Sequence, residues 1–85
     1  MIISIYNVQL TEDGYIVQGS IKNLSDTVKS IPDIVFFIKN NQGLTLRRDI
    51  QLPPSGLIDP KSVMRFVRTV RPIIPGGNSI AVSFY

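Results

Sequence analysis

Chemistry in a chain of 85 residues would have to come from its serines, carboxylates and arginines, because it contains neither histidine nor cysteine. That removes the commonest general base, the commonest metal ligand and every thiol nucleophile. A serine nucleophile needs a partner to take its proton. Only Ser25 beside Asp26, or Ser55 beside Gly56, has even the outline of one. Both pairs lie in turn-forming stretches, where serine ordinarily hydrogen-bonds the local backbone. The six carboxylates, Glu12, Asp13, Asp26, Asp33, Asp49 and Asp59, show no spacing that pairs two of them for acid–base work. They also lack the D-x-D-x-D pattern of a calcium loop, although Glu12 and Asp13 are adjacent. Gly76 and Gly77 precede a strand and not a helix, so no phosphate-cradling loop forms there. The expectation is no catalytic residue, no metal site and no cofactor.

Arginine is the more informative residue type. Arg47, Arg48, Arg65, Arg68 and Arg71 lie on segments that can neighbour one another in a folded sheet, and guanidinium forks suit phosphate and carboxylate groups. They form a candidate anion-binding face for lipid headgroups, an acidic protein or nucleic acid. Solvated strand faces that guard against edge-to-edge aggregation account for the same residues. Nucleic acid is not the expected partner, since no aromatic stacking platform is interleaved with the basic residues. The net charge of +3 also falls short of a nucleic-acid footprint.

The elements that must position these residues are strands. At 44% hydrophobic content the chain can build one core, and its length accommodates one domain, residues 1–85. No apolar run approaches the roughly 20 residues of a membrane span, and a soluble chain is expected. Six segments have strand character and none has a helical period. Residues 2–10 (IISIYNVQL) and 15–23 (YIVQGSIKN) flank the turn Thr11–Gly14, as a hairpin. In the second segment Tyr15, Val17, Gly19 and Ile21 alternate onto the core face. A glycine there predicts a bulge or a large side chain lying close against the backbone. Asn23 ends the alternation as a turn residue.

The third segment opens at Ile31 and Pro32 and continues through DIVFFIK (33–39), apolar on both faces. Ile34, Phe36 and Ile38 fill the core, which leaves Val35 and Phe37 facing outward. Neighbouring strands can add Ala81 and Tyr85 to that outer face, giving a candidate interface. A crossover loop such as 52–60 would cover the same patch. Asn40–Gly43 make a hairpin loop before 44–50 returns, and LPPSGLIDP (52–60) carries the chain from one sheet to the other. In SVMRFVRTV (62–70), Met64, Phe66 and Val70 share a face that Arg68 interrupts, which a bulge or the sheet rim would accommodate. Ile80, Val82 and Phe84 point inward from the last strand. Six or seven short strands with Pro/Gly crossovers predict an all-β fold, an antiparallel β-sandwich of immunoglobulin or fibronectin type III kind.

With the strands placed, Tyr15, Gly19, Ile21, Asn23, Ser25, Ile31, Pro32, Gly43, Pro54, Leu57, Pro60, Phe66, Pro75, Val82 and Phe84 form a pattern. Over about residues 14–85 it resembles a bacterial domain family of unknown function. In that family a β-sandwich follows a zinc-ribbon segment and a single transmembrane helix. Lys61 follows Pro60 where the family usually has a glycine turn. The resemblance implies an extracytoplasmic domain, joined to the membrane only through a segment absent from this chain. The expected function is non-enzymatic protein interaction with a partner protein or a second copy; the alternative is the anion-binding module.

Overall fold

A computed structural model describes all residues, 1–85. The chain is all β, with eight strands, no helix and three separate antiparallel sheets that do not close into a barrel. Strands β1 (Ile2–Leu10), β2 (Tyr15–Lys22) and β7 (Val63–Val70) form the first sheet in the order β1-β2-β7. Strands β5 (Thr45–Gln51), β4 (Ile34–Lys39) and β8 (Ser79–Phe84) form the second in the order β5-β4-β8. Two-residue strands β3 (Lys29–Ser30) and β6 (Leu57–Ile58) pair with each other.

Both three-stranded sheets feed one core. Tyr15, Val17 and Ile21 of β2 and Phe66 and Val70 of β7 cluster with Ile34, Phe36 and Ile38 of β4, and Ile31 and Ile58 close one end. Alternation is the cause: along β2 and β7 every second residue turns inward, towards the core. Of the two alternatives that the glycine's position predicts, the close approach of a large side chain is the one met at Gly19. A Cβ on Gly19 would collide with the Ser4 carbonyl oxygen and come within 2.5 Å of Phe66 Cζ. Phe66 lies over the bare backbone and meets Phe36 edge to face, with ring centroids 6.5 Å apart and planes at 61°. Beside it, the β1–β2 register shifts between Ile5 and Asn7, so β1 carries a bulge at Tyr6.

Asn23 does more than end β2. Its side chain is 1% exposed, and Nδ2 donates towards the carbonyls of Thr27, Ile58 and Asp59 at 2.9, 3.2 and 3.1 Å. Its Oδ1 accepts from the Ser25 amide at 3.1 Å and the Ser25 hydroxyl at 2.7 Å. A side-chain amide has two donors and an acceptor with two lone pairs, so one residue serves the backbone of two loops at once. The short β3–β6 ladder is anchored there. Lys61 follows in the same corner with φ 54°, the left-handed region that costs a side-chain-bearing residue about 1 kcal/mol.

Three details differ from the strand assignments made on sequence. The strand expected to open at Ile31 begins at Ile34; Ile31 instead is buried and donates its amide to the Gly56 carbonyl. Crossover 52–60 contains β6. Arg68 needs no bulge, because the β2–β7 register runs unbroken from Tyr15↔Val70 to Lys22↔Val63.

Candidate functional site

The five arginines do not gather on one face. Arg65 pairs with Ser20 on the outer face of the first sheet, whereas Arg68 pairs with Val17 on its inner face. From that inner face Arg68 reaches the rim and donates to Gln51 Oε1 at 3.4 Å, while Gln51 Nε2 donates to Asp49 Oδ2 at 3.0 Å and to the Thr69 carbonyl at 3.1 Å. This polar chain ties edge strand β5 to edge strand β7, and explains how a guanidinium sits at an inward position: its stem lies on apolar surface and its head reaches the boundary. Arg47 and Arg48 occupy successive positions of β5, opposite Ile38 and Phe37, and so point to opposite faces. Arg71 follows β7, beside Gly14.

What gathers instead is a cation pair that sequence spacing did not reveal. Lys22 and Arg65 line a depression of about 550 Å³ with Tyr6, Ser20 and Val63 on the outer face of the first sheet. None of the three strands of that sheet carries a carboxylate, and the single salt bridge in the protein, Lys61 to Asp26 at 3.5 Å, lies elsewhere. Alternation already placed Lys22 and Ser20 on the outer face; the missing knowledge was that β7 would be their neighbour.

Val35, Phe37, Ala81 and Tyr85 do share the outer face of the second sheet. Phe37 lies directly across from Ala81 and Val35 from Ser83, and the Tyr85 amide bonds to the Asp33 carbonyl. Their exposure is uneven: Val35 is covered at 4%, Phe37 and Ala81 are half-buried, and Tyr85 is 70% exposed. The surface there amounts to Phe37, Ala81 and the tyrosine.

A second apolar opening lies at the side where β1 and β8 run near one another without a hydrogen bond between them. Beyond the Tyr6 bulge, Val8 pairs with Val17 and Leu10 with Tyr15, so both side chains point towards the core. They nevertheless remain 39% and 65% exposed. The second sheet ends at β8, and no strand lies beyond it to cover them. With Tyr15, Gly77, Asn78, Ser79 and Ile80 they line a groove of about 440 Å³. Its floor is rigid. The Tyr15 hydroxyl donates to the Gly77 carbonyl at 3.2 Å and accepts from the Ile74 amide at 3.3 Å, which pins the 74–77 turn against β2.

Both serines weighed as nucleophiles hydrogen-bond within their own loops. Ser25 Oγ bonds Asn23 and the Thr27 carbonyl, and Ser55 Oγ donates to the Leu57 carbonyl at 3.2 Å. No three carboxylates converge as metal ligands would. No family model matches the chain, and no curated protein or solved structure matches it either.

Proposed function

We propose that this chain is a non-enzymatic interaction module, a β-sandwich of immunoglobulin or fibronectin type III kind that works by surface complementarity. The observation that carries the reading is the exposure of Val8 and Leu10, two inward-facing aliphatic side chains in a groove at the open side. A domain this small needs each apolar face it has, and leaving two such side chains in water favours a partner that covers them. The resemblance of residues 14–85 to the membrane-anchored family supports a location outside the cytoplasmic membrane.

The test uses an environment-sensitive anilinonaphthalene dye as an apolar probe. Fluorescence enhancement should saturate with dye, change little between about 0.05 and 1 M salt, and be lost in Leu10→Lys. Enhancement that Leu10→Lys leaves intact, with Phe37→Glu abolishing it, would move the site to the outer face of the second sheet. No enhancement at all by a protein that is monomeric in solution would remove the reading.

The pairing of Lys22 with Arg65 around Tyr6 and Ser20, on a sheet without carboxylates, favours a second reading: an anion-binding module. It requires affinity for anionic phospholipid vesicles or a polyanion that falls steeply with salt, and that Lys22→Gln with Arg65→Gln abolishes. Binding retained in about 1 M salt would exclude it.

A further inference from the structure

The charges of this protein are distributed unevenly over the four edge strands of its two three-stranded sheets. Edge β5 carries Arg47, Arg48 and Asp49, and edge β7 carries Arg65 and Arg68; these two lie on the side closed by the Arg68–Gln51 contact. Edges β1 and β8 lie on the other side, and neither Ile2–Leu10 nor Ser79–Phe84 contains a single charged residue. Soluble β proteins guard free edges with lysine, arginine or proline against pairing with another chain. Here the guard stands at one side and is missing at the other.

The free edge has a defined register. Since the Tyr85 amide points to the carbonyl of Asp33, the residue before β4, alternation turns the peptide groups of Ser83 and Ala81 towards β4 as well. Those of Ile80, Val82 and Phe84 face away, with no strand to bond. Their side chains are the half-buried apolar ones that point inward.

Resting on the interaction reading above, we infer that the occupant of this side is a second copy of the chain, docked through antiparallel β8–β8 pairing across a two-fold axis at Val82. Such an axis sets Val82 opposite its own copy and Ile80 opposite Phe84 of the second copy, so the bonds run between the peptide groups now free. The second sheet continues as six strands, and all inward side chains stay on one face. The ring of Phe84 of the second copy falls beside Ile80, at the mouth of the groove that holds Val8 and Leu10. A strand without charge meets its own copy without like-charge repulsion, and the arginine-bearing edges of both copies end up farthest from the axis. An isologous interface of this kind closes at two and leaves no new edge.

The register can be tested covalently, because the protein has no cysteine of its own. In this pairing Ala81 lies opposite Ser83 of the second copy in a non-hydrogen-bonded pair, with Cα atoms about 4.5 Å apart, within disulfide reach. The expected result for the wild type is twice the 9.5 kDa chain mass by light scattering over a dilution series. Mild oxidation of the Ala81→Cys/Ser83→Cys protein should then give covalent dimers, whereas Thr69→Cys on the far edge should give none. A mass of 9.5 kDa at every concentration, or a dimer that the paired cysteines fail to trap, overturns the inference. Dye binding by a monomer, lost in Leu10→Lys, would leave the broader reading standing with another partner; a monomer without dye binding would end both.

Discussion

Replacing Gly19 with alanine adds one methyl group at the most crowded point of the core. The new Cβ would meet two neighbours: the Ser4 carbonyl oxygen, in the paired backbone of β1, and Phe66 Cζ at 2.5 Å, with Phe66 Cε2 at 2.9 Å. Neither can withdraw freely, since Phe66 is 4% exposed and packed edge to face on Phe36. Overpacking of this kind costs about 1–3 kcal/mol. Turning the Phe66 ring away forfeits some of its edge contact, about 0.5–1.5 kcal/mol. The lower entropy of alanine in the unfolded chain returns about 0.4–1 kcal/mol. The middle of each range leaves a net loss of about 2 kcal/mol, against a total of about 4–13 kcal/mol for 85 residues.

At about 4–8 °C per kcal/mol for a domain of this size, thermal unfolding followed by circular dichroism should show a midpoint lowered by about 8–16 °C. The double variant Gly19→Ala/Phe66→Leu separates the two collisions. A coupling of about 1 kcal/mol or more assigns the larger share to the ring, and additivity assigns it to the Ser4 carbonyl. A midpoint within about 3 °C of the wild type would refute the reasoning, because the site would then have room that the structure denies it.

Asn23→Ala leaves the Ile58 carbonyl and its neighbours without a donor, and urea unfolding should show a loss of about 2–4 kcal/mol. In Asn23→Asp a carboxylate oxygen would face those carbonyls, which raises the folded pKa of the new carboxyl above its unfolded value of about 3.9. The native state then binds the proton more tightly, so stability falls as pH rises through that window, and urea midpoints should be lower at pH 7 than at pH 3.5. Lys61→Gly relieves the left-handed backbone at the loss of two exposed contacts, Nζ to the Leu24 carbonyl at 2.7 Å and to Asp26 at 3.5 Å. Its thermal midpoint should equal or exceed the wild-type value, while Lys61→Val should lie below both. Tyr15→Phe strands the Gly77 carbonyl and the Ile74 amide, with an expected loss of about 1–2 kcal/mol and weaker dye binding at the groove that the 74–77 turn lines.

Much of this architecture is legible in the alternation. Tyr15, Val17, Gly19 and Ile21 face inward as their spacing predicts, and the glycine announces the ring above it, while the bulge beside it belongs to β1. The sequence even carries the sign of that bulge. The inward residues of β1 shift from odd positions, Ile3 and Ile5, to even ones, Val8 and Leu10, which requires one extra residue between them. Strands β3 and β6 escape because two residues have no period; they exist through long-range bonds such as Asn23 Nδ2 to the Ile58 carbonyl. The candidate sites escape for a related reason. Whether an inward leucine is buried, or a lysine meets an arginine, depends on which strands become neighbours, and alternation within a strand does not encode that.

Strand β2 joins two regions with different physical characters. At its C-terminal end Asn23 binds three carbonyls and a serine, and the β3–β6 ladder, Ile31 and Ile58 close the core above it. At its N-terminal end Tyr15 forms the floor of a groove whose wall, Leu10, stands in water. Residues 15 and 23 are eight apart, which at about 3.3 Å per residue separates the two regions by about 26 Å. Groups that far apart with no shared partner contribute independently. The Asn23 corner can therefore hold the fold while the groove gains or loses a partner, and Leu10, with 65% of its surface in water, contributes little to the core that a lysine would remove. That separation makes Leu10→Lys a clean probe of binding: it should leave the unfolding free energy of the monomer, from urea titration at high dilution, within about 0.5 kcal/mol of wild type. A larger loss of stability would show Leu10 to belong to the core, and the groove would then be a seam in the packing and not a surface for a partner.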